Sequence, residues 1–129
     1  MVITALVLVG LAAVIHVYIF YMESVAWATP RVRAVFGLSE EEARTTRLLA
    51  FNQGFYNLFL AIAVLLGIAL FLLGQQAVGA TLVFVGAGSM TLAALVLLLS
   101  SAGRGMAALV QGLLPAAGVI VMAFGLALS

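Results

Sequence analysis

The chain has 129 residues, of which 67% are hydrophobic and 7% charged, with a formal net charge of +1. A soluble domain carries about 25% charged residues, and one of this length could not bury so much apolar surface, so a soluble fold is excluded. With one His, no Cys and no basic excess, the chain also has no disulfide frame, no sulfur- or His-rich metal centre and no phosphate-binding surface for nucleic acid; no cofactor is expected.

Charges occur only at Glu23, Arg31, Arg33, Glu40, Glu41, Glu42, Arg44, Arg47 and Arg104. Between them lie four uncharged runs, residues 2–22, 48–73, 78–99 and 106–128. Each is long enough for the roughly 20-residue helix that crosses a bilayer. In hydrocarbon each backbone group must be satisfied within its own segment, and the runs lack the apolar/polar alternation of barrel strands. The expected fold is therefore an all-α membrane protein, a single domain over residues 1–129 built as a four-helix transmembrane bundle. The first run resembles a signal peptide, with Ala26-Trp27-Ala28 imitating a cleavage site. It is too long for an apolar signal core and no Lys or Arg precedes it, so it is read as a retained helix over 2–22.

The first connection carries its own punctuation. Thr29-Pro30 reads as an N-cap followed by proline at the first helical position, and Gly37 as a stop. Val32, Val35 and Phe36 recur at helical spacing, which predicts a short helix in the membrane interface within loop 23–39. Ser39 and Glu42 form an S-x-x-E capping box, and Glu40 and Arg44 are an i,i+4 pair. The second membrane helix is therefore predicted over 40–73, starting outside the bilayer. The third and fourth are predicted over 78–99 and 106–128. Tyr18, Tyr21 and Trp27 sit where an interfacial aromatic belt would.

Polar groups inside a span are costly and need a reason. They are His16, Tyr18, Asn52, Gln53, Tyr56, Asn57, Ser89, Thr91 and Gln111. His16, Gln53 and Gln111 each lie six or seven residues from Glu23, Arg47 and Arg104, roughly 10 Å of helix. Three helices thus place strong hydrogen-bonding groups at one level, toward the end that carries the charges. Asn52, Gln53, Tyr56 and Asn57 share one arc of the second helix, predicted to face the interior. The expected ligand-binding set is His16, Glu23, Trp27, Asn52, Gln53, Tyr56, Asn57 and Gln111. The bland alternative is interhelical glue, with Glu23 as an interfacial partner of Arg31 or Arg47. Gly79, Gly86, Ala93 and Ser100 recur every seven residues, and Gly118 and Gly125 continue the Gln111 stripe. Such stripes serve close packing within the chain or a homo-oligomer interface.

The motifs, taken together, are His16-x-Tyr18-Ile19, Glu23-x-x-x-Trp27-x-Thr29-Pro30, Phe36-Gly37-Leu38-Ser39, Asn52-Gln53-Gly54-x-Tyr56-Asn57 and Gln111-Gly112-x-x-Pro115. They resemble a family of small bacterial four-helix membrane proteins of unknown function, over essentially the whole chain. The resemblance implies the four-helix fold and the bacterial inner membrane, and brings no substrate.

Three functions fit the polar set. The first is binding or transport of a small amphiphilic or lipid-like molecule in a polar pocket, with Glu23 and Trp27 meeting a cationic group. The second is an intramembrane enzyme using His16 and Glu23 as acid–base groups, with Asn52 or Gln53 polarising the substrate. Arg47 and Asn52 also resemble, weakly, the helix start of small glutathione-using membrane enzymes. The third is a structural or assembly subunit. Four-helix drug exporters fit poorly, since their carboxylate lies within a span and Glu23 lies at an end.

Connections one and three carry all five Arg, and connection two none. By the positive-inside rule both termini lie outside the cytoplasm. Reporter fusions active only in the cytoplasm should therefore be silent at either terminus, and strong activity from both would reverse the topology.

Overall fold

The computed structural model describes residues 1–128, and every regular element within them is helical. Helix α1 spans Val2–Phe20 and continues directly into a π-helical turn, Tyr21–Val25. Two short helices follow, α2 at Pro30–Phe36 and α3 at Glu40–Thr45. Three long helices complete the chain: α4 at Arg47–Leu72, α5 at Gln76–Ser100 and α6 at Gly105–Ala127. Four helices, Val2–Val25, Arg47–Leu72, Gln76–Ser100 and Gly105–Ala127, are long and apolar enough to cross a membrane. The shortest has 23 residues, which exceeds the ~30 Å hydrocarbon thickness.

The four helices pack as an up-down-up-down ring in the order α1, α4, α5, α6, with α6 returning to α1. Much of the interior is built from small side chains, with Met90 and Met122 among the few large ones at the centre, and many large ones point outward. Ala5, Ala12, Ala13, Ala61 and Ala87 are fully buried, whereas Val14, Leu65, Leu92 and Leu113 are exposed. A soluble bundle has the reverse arrangement. Lipid is as apolar as leucine, so burying leucine against a neighbouring helix gains little; close backbone approach, with its dispersion contacts, gains more.

The small-residue stripes are used within the chain. A Cβ on Gly79 would lie 2.5 Å from the Phe71 backbone nitrogen and 2.6 Å from the Gly67 carbonyl oxygen, so α4 and α5 touch backbone to backbone there. Gly86 takes the Val64 side chain in the same way, and on α6 Gly118 and Gly125 receive Val9 and Val2 of α1. Ala93 and Ser100, which continue the α5 stripe, are exposed.

The first connection forms as its local signals dictate. Thr29 caps α2, with its hydroxyl accepting from Val32 N at 3.4 Å, and Gly37 closes the helix at φ 65°. Val32 and half-buried Phe36 turn α2 back onto Met22, Ala26 and Trp27, while Val35 is left exposed. The capping box is complete: Glu42 N donates to Ser39 Oγ at 3.1 Å and Ser39 N to Glu42 Oε2 at 2.8 Å. That backbone donor, with the Ser39 side chain, holds the Glu42 carboxyl below the ordinary carboxylate range.

Two elements differ from the sequence reading. The first membrane helix does not stop at 22 but tightens into the π turn, where Ala26 N donates to Tyr21 O at 3.0 Å. The helix read over 40–73 is interrupted at Thr46, whose ψ of 3° leaves the helical range. Two threonine hydroxyls bond back at that point: Thr46 Oγ1 and Thr45 Oγ1 donate to Glu42 O at 2.6 and 3.1 Å, beside the helical bond from Thr46 N at 3.0 Å, a pattern that bends helices.

Gly79→Ala must push α4 and α5 apart and should cost about 1–3 kcal/mol. Nothing lies within 4 Å of a Cβ at Gly88. Gly88→Ala should therefore be neutral or stabilising by up to about 1 kcal/mol, on helix propensity alone. Thermal unfolding of both variants in mild detergent separates the two.

Candidate functional site

The polar chemistry concentrates where the π turn meets the start of α4. A π turn contains one residue more than an α turn of the same kind, and such insertions reorient side chains at functional sites. Here it presents Glu23 and Ser24 to α4. The approach depends on Gly54: a Cβ at that position would run into Ser24 Oγ and lie 3.1 Å from Glu23 Cβ. Ser24 Oγ donates to Phe51 O at 2.8 Å, which ties the turn to α4 one helical turn away from Gly54.

Glu23 is half-buried, and its Oε2 accepts a hydrogen bond from Asn57 Nδ2 at 2.8 Å. The same amide donates to Gln53 O at 3.1 Å, so both Asn57 donors are committed and the amide is fixed in orientation. Glu23 has no arginine partner. The ion pair among the described residues is Arg44 with Glu41, on the exposed face of α3. The expected alternative, an interfacial pairing of Glu23 with Arg31 or Arg47, is therefore not what the fold makes.

Trp27 stands beside Glu23. Its Nε1 donates to Thr46 Oγ1 at 3.2 Å and its ring packs on Phe36 at 5.0 Å between centroids. The break in helix at Thr46 thus has a use, since Thr46 bridges Glu42 and Trp27. Between the π turn, the following loop and the start of α4 lies an open cleft of about 350 Å³. Its lining includes Glu23, Trp27, Thr29, Arg47 and Phe51.

The expected convergence of His16, Gln53 and Gln111 in the interior does not form, because Gln53 is exposed. Of the wider set, Glu23 bonds to Asn57 and lines the cleft with Trp27. His16 is buried at 2% exposure, and its Nδ1 donates to Ala12 O at 2.9 Å within its own helix. Gln111 is half-buried. Val2 meets Gly125 and Val9 meets Gly118, so one further heptad step brings His16 level with Gln111. Neither lines the cleft. Gln111 is also absent from the apolar groove of about 210 Å³ between α5 and α6.

Asn52, Gln53 and Tyr56 are a correction to the predicted inward arc: all three are exposed on the outside of α4. The inward face is set by Ala50, Gly54, Ala61, Val64 and Gly67. At about 100° per residue, Asn57 lies nearest to Gly54 at the edge of the polar arc, and Tyr56 and Asn52 lie nearly opposite. Asn52 and Gln53 lie within two turns of the charged end of α4, where the cost of an outward polar group falls, and Tyr56 is an amphipathic side chain whose ring suits an apolar surface. His16 and Glu23 are likewise not joined. They share a face on an ideal helix, but the π turn intervenes and Glu23 bonds across to α4.

Sequence reasoning missed Ser24 and Thr46 as positioning residues and Gly54 as the contact point. Gly54 sits inside the Asn52-Gln53-Gly54 motif, and that motif was the available signal.

Four apolar helices in a ring, with one polar cleft at the charged end, define a multi-pass membrane protein. A family model for proteins of unknown function, DUF1304, matches residues 10–123, and the chain belongs to that family. No curated protein and no solved structure matches it.

Gly54→Ala should displace the π turn, at a cost of about 1–3 kcal/mol in stability. Trp27 is the chain's only tryptophan, so its fluorescence should shift in the same variant if the turn carries the cleft wall with it.

Proposed function

We propose that this protein binds a small amphiphilic or lipid-like molecule, with the polar head in the cleft at Glu23 and Trp27. The observation that carries this reading is a half-buried carboxylate held by an amide rather than by a counter-ion, in an open cleft at the membrane–water end of the bundle. A carboxylate withdrawn from bulk water without an opposite charge is costly to maintain and is available to a ligand. A concave site with a few convergent polar groups is the usual form of a small-molecule site.

Binding is favoured over passage through the bundle. Val9, Val64, Val83, Met90 and Met122 fill the centre at 0–1% exposure, which supports a site reached from one side. The five Arg, by the positive-inside rule, support a cytoplasmic position for that side, with both termini outside; the bacterial inner membrane is the location that the family resemblance implies. The acid–base reading of His16 and Glu23 has less support, because His16 is spent on its own helix and is not part of the cleft.

Native mass spectrometry of the protein extracted in mild detergent tests the proposal. The expected result is one co-purifying amphiphile per chain, lost in Glu23→Ala and in Trp27→Ala while helix content is kept. An adduct that persists in both variants would place binding elsewhere and overturn the reading.

A further inference from the structure

We infer that the head group taken by the cleft is zwitterionic: an ammonium held at Glu23 and Trp27, and a phosphate held at Arg47. This rests on the reading of the cleft as an amphiphile site and names the ligand's chemistry.

The cleft contains one charge of each sign, and neither has an ion-pair partner among the described residues. Glu23 and Arg47 both line it, they form no ion pair with each other, and the Arg44–Glu41 pair lies outside it. A purely cationic head would satisfy Glu23 and face Arg47 as a like charge. A purely anionic head would do the converse. Only a ligand with both charges complements the whole lining, and the mismatch disfavours the other two.

The individual groups agree with that assignment. Glu23 spends one acceptor site on Asn57, and a carboxylate has about four, so the remainder are free for the N–H donors of an ammonium. Trp27 has committed its side-chain donor to Thr46, so what remains for the cleft is aromatic ring surface. The face of such a ring attracts a cation. Arg47 is exposed at the first position of α4, and among the described residues it has no hydrogen bond or ion pair. Its guanidinium presents a planar fork suited to phosphate.

Size separates head from tail. A volume of about 350 Å³ is at the small end of ligand sites, enough for a head group and not for acyl chains. Phe51 lines the cleft and is 45% exposed, which gives the tails an apolar exit onto the lipid-facing surface.

Trp27 fluorescence of the full-length protein in maltoside micelles reads the binding. The probes are dihexanoyl phosphatidylethanolamine, dihexanoyl phosphatidylglycerol, dodecylammonium and free phosphoethanolamine. The zwitterionic lipid should bind about tenfold more tightly than either singly charged amphiphile. Glu23→Gln should weaken the zwitterionic lipid and leave phosphatidylglycerol unchanged or tighter. Arg47→Gln should weaken the zwitterionic lipid and leave dodecylammonium unchanged or tighter. Equal affinities for the three amphiphiles, or a preference unmoved by both variants, would overturn the zwitterion while sparing the amphiphile reading. Free phosphoethanolamine binding as tightly as the lipid would keep the zwitterion and overturn the amphiphile. No response to any probe would overturn both. The wild-type ranking alone decides the matter if either variant fails to fold.

Discussion

Everything in this protein depends on how closely its helices can approach. In lipid no hydrophobic force drives helices together, so packing contact and the few available hydrogen bonds must hold the bundle. The chain meets that constraint by lining its interior with Gly and Ala and turning Leu, Ile and Phe outward. At Gly67 and Gly79 the approach is backbone to backbone, and at Gly118 the Val9 side chain fills the space that a Cβ would need. The stripes of small residues are therefore consumed by the monomer, which removes most of their value as a signal for self-association.

The same constraint builds the cleft. Gly54 admits Ser24 against α4, and the π turn supplies the reorientation that aims Glu23 at Asn57. Without the glycine the turn would be pushed away from α4 and the carboxylate would lose its amide. The hydrogen bonds that surround it are each ordinary: Ser24 to Phe51, Trp27 to Thr46, and the Thr46 hydroxyl to Glu42. Their combined effect is to fasten the π turn, the α3–α4 junction and the aromatic pair of Trp27 and Phe36 into one rim. Such a rim fixes the Glu23 carboxylate against Asn57 and sets the position of the α4 start that bears Arg47.

Polarity is distributed in two separate places. One is the rim, open to water and containing Glu23, Trp27 and Arg47. The other is inside the bundle, where His16 satisfies itself on Ala12 and stands level with half-buried Gln111. Pro115 belongs to the same region of α6, and its missing N–H leaves the Gln111 carbonyl without its usual helical donor. Of these two places, the rim has the open volume and the unpaired charges that recognition of a ligand needs.

Much of the architecture was legible from local patterns. The four spans follow from uncharged length, α2 from Thr29-Pro30 and Gly37, and the start of α3 from Ser39 and Glu42. The charged end follows from the positions of the Arg residues. Each of these rests on interactions within a few residues or on transfer into lipid, and so each is present in the sequence by itself. The orientation of α4 is different in kind. Asn52, Gln53 and Tyr56 looked interior because polar groups are costly in hydrocarbon, but near a helix end that cost falls and no longer decides the face. The shape of Gly54 against Ser24 decides it instead, and that fit exists only once two distant segments have met. The seating of the π turn on α4 and the pairing of Glu23 with Asn57 are of the same kind, set by contacts 27 and 34 residues apart along the chain. Local chemistry determined which segments form helices; tertiary close packing determined which way they face.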